Sequence, residues 1–178
     1  HDIEGEDDVT AYLEFENGAT GVFVTTTADA PGTNRFEITL AKAKLVCEDN
    51  KLYFYVLDVS EREYCFTATE GFAKPEGHVV ELETDGENPQ HAGVLRAFAA
   101  KILRDEPLVA VGTAGLRGLM LSNAMHLSSW HGKPVTLPID EDLFLEKLNE
   151  LRKNSRVKEN VQEVTFQTEG SYGSGQTK

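Results

Sequence analysis

Basic residues are scarce in this chain: 17 Lys and Arg stand against 30 Asp and Glu, a net charge of -13 over 178 residues. Such a surface repels a phosphate backbone and an anionic bilayer, so nucleic acid and membrane surfaces are poor partners. The plain role of the charge is solubility. No apolar run approaches the ~18 residues of a membrane span. The opening residues, His1-Asp2-Ile3-Glu4-Gly5, lack the basic and apolar regions of an export signal, and a cytoplasmic location is expected. The chain opens without Met inside an acidic stretch, and reads as the carboxyl-terminal part of something longer, whether an expressed piece or a cleavage product. Cysteine is also scarce. Cys47 and Cys65 stand apart with no CxxC spacing, which favours two reduced thiols over a cross-strand disulfide.

Several chemical motifs are missing as well. There is no GxGxxG. Gly112-Thr113-Ala114-Gly115 opens a helix but follows no first strand of a βαβ unit, so it reads as loop and cap and not as a phosphate cradle. His126 and His131 lie five apart and cannot share a helix face as an i, i+4 zinc pair does, so no metal is expected. No internal repeat is present.

What the chain does have is strand patterning followed by helix patterning. Val9, Ala11, Leu13 and Phe15 alternate with polar residues, and Asn17-Gly18 signals a two-residue turn into a strand over 20–27. A Pro31-Gly32 loop leads to a third strand over 35–40, with Phe36, Ile38 and Leu40 on one face. Strands over 45–48 and 52–56 turn about Asp49-Asn50, and two more are expected over 64–67 and 78–83. A mostly antiparallel, open sheet results, and such sheets commonly pack one face and leave the other free.

The stretch from Pro89 to Pro138 then reads as helix, loop, helix, strand. Asn88 can cap the first helix, with Pro89 in its first turn; Val94, Leu95, Phe98 and Ile102 form one stripe, and Asp105-Glu106-Pro107 stops it. Phe98 and Trp130 are most simply core. Thr113 can cap the second helix, Gly132 and Pro134 end it, and a short strand is expected over 135–137. Asp140 can cap a third helix carrying Leu143, Phe144, Leu148 and Leu151. The fold class is α+β, with helices packed on one face of the sheet, as a single domain over 1–166. The Gly-, Ser- and Gln-rich tail over 167–178 is expected to be disordered.

Several runs, in order, carry a family resemblance: Asp8-Val9-Thr10-Ala11-Tyr12, Asn17-Gly18-Ala19-Thr20-Gly21, Ala30-Pro31-Gly32-Thr33-Asn34-Arg35-Phe36-Glu37-Ile38, Asn88-Pro89-Gln90-His91, Val111-Gly112-Thr113-Ala114-Gly115 and Asn123-Ala124-Met125-His126-Leu127-Ser128-Ser129-Trp130. Together with the run over 98–107 that ends in Asp-Glu-Pro, they resemble the closing part of the Gfo/Idh/MocA oxidoreductases, NAD(P)-dependent dehydrogenases of sugars, polyols and related compounds. The match spans about residues 8–151.

The resemblance implies a carboxyl-terminal, substrate-facing domain whose Rossmann domain is absent from this chain. The family's Glu-Lys-Pro motif and its Asp and His pair for proton transfer are not found and would precede His1. The resemblance therefore implies no catalytic residue here and no cofactor bound by this piece, with NAD or NADP held by the full-length parent. It leaves one wall of a sugar or polyol pocket. Thr33, Asn34 and Arg35 are candidate substrate contacts at a strand start, against the alternative of an Asx-type turn and a solvated Arg. His91, in the first turn of a helix, either bonds a hydroxyl or ties down a loop. Leu40-Ala41-Lys42-Ala43-Lys44 departs from the family, which often has Gly there; an Ala at positive φ would cost roughly 1 kcal/mol.

Family members commonly oligomerise through the open sheet face, so a homo-oligomer is expected. The alternative to the enzymatic reading is a non-catalytic sheet domain for self-association or ligand binding.

Overall fold

A computed structural model describes residues 4–49, 51–87 and 89–156. The expected tail over 167–178 and the capping role of Asn88 fall outside these residues. The class is α+β, with six strands in two antiparallel sheets and four helices among the described residues. The chain divides into two compact units, one over 6–114 and one holding residues 4–5 and 115–156, and the boundary falls in the first turn of a helix.

In the first unit, β1 (Asp8–Glu14) and β2 (Thr20–Thr26) form a hairpin of their own. The turn is longer than the two residues expected. The Phe15 N–H donates to the Ala19 carbonyl at 2.9 Å, enclosing Glu16, Asn17 and Gly18, and Gly18 takes φ +84°. This is the three-residue loop whose last position wants left-handed backbone, which Gly supplies without a Cβ clash. The Asn17 side chain accepts from the Ala19 N–H at 3.0 Å and closes an Asx turn.

The single open sheet expected from the patterning is instead two sheets. After the Pro31-Gly32 loop, β3 (Arg35–Thr39), β4 (Ala43–Glu48), β5 (Lys51–Leu57) and β6 (Gly77–Leu82) form a four-stranded meander in that order. The turn from β3 to β4 needs no glycine: neither Ala41 nor Ala43 has positive φ, so the departure from Gly there carries no strain. Asp49 takes φ 51° in the β4–β5 turn.

Two expected strands do not form. Residues 64–67 lie in α1 (Glu61–Thr67), capped by Ser60, whose hydroxyl accepts from the Glu63 N–H at 3.1 Å. Ser60-Glu61-Arg62-Glu63 is a capping-box spacing, and satisfying that helix terminus outweighs four residues of weak alternation. Residues 135–137 are irregular because Pro134 and Pro138 flank them, and neither has an N–H to give a ladder.

Helix α2 (Gln90–Arg104) ends as expected, with Asp105 left-handed and its N–H on the Lys101 carbonyl. Its N-cap is Pro89, which makes no side-chain bond. The broad contacts between elements are those of paired strands, so α2 does not cover a sheet face as expected. Ala100 is its one buried residue, with Gly93 and Ala97 half-buried on the same side, while Val94, Leu95, Phe98 and Ile102 are exposed on the other. Phe98 is therefore not core.

The second unit is built on α3 (Gly112–His131) and α4 (Glu141–Asn154). Helix α3 begins one residue before Thr113, which consequently lies inside the first turn and does not cap it. It ends at Gly132 as expected: the Gly132 N–H meets the Ser129 carbonyl and the Lys133 N–H meets the Ser128 carbonyl, both at 3.3 Å, with Gly132 at φ 62°. That pair is a Schellman motif. Asp140 caps α4 by accepting from the Leu143 N–H at 3.0 Å. Trp130 stacks between His126 and Phe144 at ring separations of 5.5 and 5.4 Å, and Leu127 is the most deeply buried described side chain. The Glu4 carboxylate accepts from the Ser155 hydroxyl at 2.6 Å and the Arg156 N–H at 2.9 Å, tying the start of this unit to the end of α4. No described helix is long and apolar enough to cross a membrane.

Candidate functional site

Thr33 and Asn34 occupy an exposed extended segment that leads directly into β3, so their side chains are open to solvent. Arg35 is the first residue of β3 and faces Glu48 across the ladder. Its guanidinium donates to Glu48 Oε2 at 2.5 Å and to Glu37 Oε2 at 2.6 Å, while Lys44 Nζ meets Glu37 Oε1 at 2.6 Å. Arg35, Glu37, Lys44 and Glu48 share one face of the sheet because the side-chain period is two and the register pairs Arg35 with Glu48 and Thr39 with Lys44.

Lys44 first, then Arg35, hold the Glu37 carboxyl below the usual carboxylate range, and Glu37 in turn raises the Arg35 guanidinium further. Arg35 is thereby committed to two carboxylates and fixes the start of β3. A carboxyl with a depressed pKa contributes stability above its unfolded value, near ~4.3, and loses that contribution as pH falls through the lower folded value. The urea midpoint of Glu37→Gln is therefore expected to fall less than that of the unmodified chain between about pH 5 and pH 3. An identical fall in both would show that the network is idle, as many exposed ion pairs are.

His91 is the second residue of α2 and is exposed. Thr33, Asn34 and Arg35 are thus gathered by the chain at one strand start. His91 stands on a separate element with no broad contact to β3. Two shallow surface depressions lie elsewhere. One, of about 250 Å³, is lined by Tyr64, Thr67, Ala68, Thr69 and Glu70; the other, of about 480 Å³, is lined by Asn149, Arg152 and Lys153.

The residues present do not suit a dinucleotide. A pyrophosphate cradle needs a strand, a Gly-rich turn and a helix in a parallel unit. The described strands pair antiparallel, and the Gly112 to Gly115 run follows an irregular segment. Among the described residues no three His, Cys, Asp or Glu side chains gather as metal ligands would.

The patterning left one feature undeveloped, the second face of the four-stranded sheet. The register places Phe36 and Ile38 of β3, Leu45 and Cys47 of β4, Leu52 and Phe54 of β5, and Val80 and Leu82 of β6 on it together. Phe36 is 65% exposed, and Ile38, Val80 and Leu82 are each more than one-third exposed. The opposite face carries the ion pairs and buries Val46. A full reading of period two across all four strands would have found this face. No protein-family model matches the chain, and no curated protein matches it.

Proposed function

We propose that this chain is the non-catalytic, substrate-facing domain of an NAD(P)-dependent oxidoreductase acting on a sugar or polyol, and that it joins copies of that enzyme through the apolar face of its four-stranded sheet. The observation that carries the association is that face: largely apolar over four strands, with His78 at one end, and exposed among the described residues, while the opposite face mixes ion pairs with Val46, Tyr53, Tyr55 and Val79. Contiguous exposed apolar surface on a highly charged chain marks an interaction site. The oxidoreductase part is supported by the order and spacing of the runs that resemble Gfo/Idh/MocA enzymes. NAD or NADP binds outside this chain, and oxidation and proton transfer belong to that other part.

Within this reading the exposed Thr33 and Asn34 side chains offer hydrogen bonds to substrate hydroxyls. Arg35 holds the segment in place through Glu37 and Glu48. The full-length enzyme, assayed with a panel of sugars and polyols and both cofactors, is expected to reduce one cofactor saturably, and the chain alone none. Asn34→Ala should raise KM about fivefold with kcat little changed, the worth of one lost hydrogen bond near ~1 kcal/mol. Absence of saturable oxidation across the panel would remove the enzymatic reading and leave a self-association domain.

A further inference from the structure

We propose that Asn17 is a modification site of this chain: it loses its side-chain amide through a cyclic imide with Gly18, and the hairpin turn is then rebuilt along one of two backbone paths. Asn is among the chemically labile residues. Of the eight Asn in the chain only Asn17 precedes Gly. Elsewhere the next residue brings a Cβ into the way of ring closure or, at Asn88, is a proline with no N–H to react. Asn17 and Gly18 are exposed at the tip of the β1–β2 hairpin, and the place where a Gly18 Cβ would stand has open space around it. The Gly18 nitrogen is thus approachable from a side that any other residue would block.

The turn favours the step, and one bond resists it. Asn17 Oδ1 accepts from the Ala19 N–H at 3.0 Å, which folds the side-chain amide forward along the backbone past Gly18. The Gly18 nitrogen gives its proton to hydroxide and attacks Asn17 Cγ, and the negative charge that develops on Oδ1 meets the Ala19 donor. Collapse breaks the Cγ–Nδ2 bond, and ammonia leaves with a proton from water. The five-membered imide joins Cγ, Cβ, Cα and the carbonyl carbon of Asn17 to the Gly18 nitrogen. Against this, the Gly18 N–H donates to the Phe15 carbonyl at 2.9 Å, and releasing one exposed bond slows the step only about fivefold. Asn123 and Asn149 lie inside α3 and α4, where the following N–H belongs to the helix ladder and several bonds must open together.

Water reopens the imide at either carbonyl. Breaking the bond from Cγ to nitrogen leaves aspartate in an ordinary chain, and its carboxylate still accepts from the Ala19 N–H. Breaking the bond from the backbone carbonyl carbon leaves isoaspartate, whose main chain runs through Cβ and Cγ and is one carbon longer. Either product adds a negative charge to a chain already at -13. Only the second disturbs the turn, because the loop over 16–18 is closed by the Phe15 N–H on the Ala19 carbonyl at 2.9 Å and has no room for an added atom. The hairpin is a sheet of two strands, marginal by itself, so its register depends on that closure.

The test ages the unmodified chain in mildly alkaline buffer for weeks and maps its peptides by mass spectrometry, with fragmentation that tells aspartate from isoaspartate. Asn17 is expected to convert first and fastest of all the Asn residues, with a mass gain of about one dalton, to a mixture of both products, at a rate that rises with hydroxide concentration. Gly18→Ala should slow the conversion several-fold. The comparison among Asn residues of the unmodified chain holds whether or not that variant keeps its turn. Asn17 intact after other Asn residues have converted would overturn the proposal, as would an equal rate in Gly18→Ala. Aspartate without isoaspartate would also overturn it, since direct hydrolysis of the side chain would then be the route. In the isoaspartate fraction, separated chromatographically, hydrogen exchange is expected to quicken across β1 and β2 while the β3–β6 amides keep their protection. A hairpin equally protected in both products would overturn the claim that the longer backbone path rebuilds the turn.

Discussion

Leu127→Ala is expected to lower the stability of the chain by about 3 kcal/mol, read from urea unfolding followed by tryptophan fluorescence. Leu127 is 2% exposed, on α3, one helical turn from both the ring stack of Trp130 and the residues around Asn123. Among the described residues the only other buried hydrophobic side chains are Val46, Ala100 and Ile139. Deleting three carbons there removes transfer energy and opens a cavity, and a thinly populated core has few neighbours able to fill it. Against a typical total of 5–15 kcal/mol, about 3 kcal/mol is a large fraction. A loss under about 1 kcal/mol would mean that Leu127 sits in a site that collapses freely, and that this unit draws little of its stability from α3.

Gly77→Ala carries the second large effect. Gly77 opens β6 opposite Leu57, and a Cβ on it would collide with the Val56 carbonyl oxygen and stand 3.1 Å from Leu57 Cα. Both obstacles are backbone, so neither can rotate away as a side chain would. Alanine has a slightly better strand propensity than glycine, worth some tenths of a kcal/mol, but the collision outweighs it and the expected cost is about 1–3 kcal/mol. The damage should be local. Hydrogen exchange is expected to quicken at the β5–β6 amides while the β1–β2 hairpin keeps its protection. Unchanged protection in β6 would show that the strand end shifts at no cost.

The sequence revealed the fold wherever a residue type has one local job. Asn17-Gly18 placed the first hairpin, Asp140 the start of α4, Gly132 the end of α3 and Asp105 the end of α2, because caps and left-handed positions are decided by the backbone within a few residues. It misled where period and capping disagreed. Tyr64 and Phe66 alternate like a strand, yet Ser60 and Glu63 three residues apart already marked a helix start. Which elements pack together was not legible. The stripe on α2 was read correctly as a stripe, but whether the large or the small side is buried depends on partners distant in the chain.

The candidate site divides in the same way. Thr33, Asn34 and Arg35 were visible as donors at a strand start. That Arg35 is held by Glu37 and Glu48 follows from the β3–β4 register, set by the turn over 40–42 and invisible in the local sequence. The apolar sheet face was legible only in part, since it is distributed over four strands and appears once all of them are registered.

Association through that face is tested most directly by the mass of the chain in solution, measured by light scattering over a hundredfold range of concentration, for the unmodified chain and for Ile38→Lys. Ile38 lies on the apolar face in the edge strand β3, opposite Leu45, and is already partly exposed, so a lysine there can reach solvent in the isolated copy without unfolding it. The account predicts a stable dimer or larger assembly for the unmodified chain and a monomer for Ile38→Lys, whose charge would be buried unpaired in the assembled form. A monomer for the unmodified chain throughout, or an assembly that Ile38→Lys leaves intact, would contradict it.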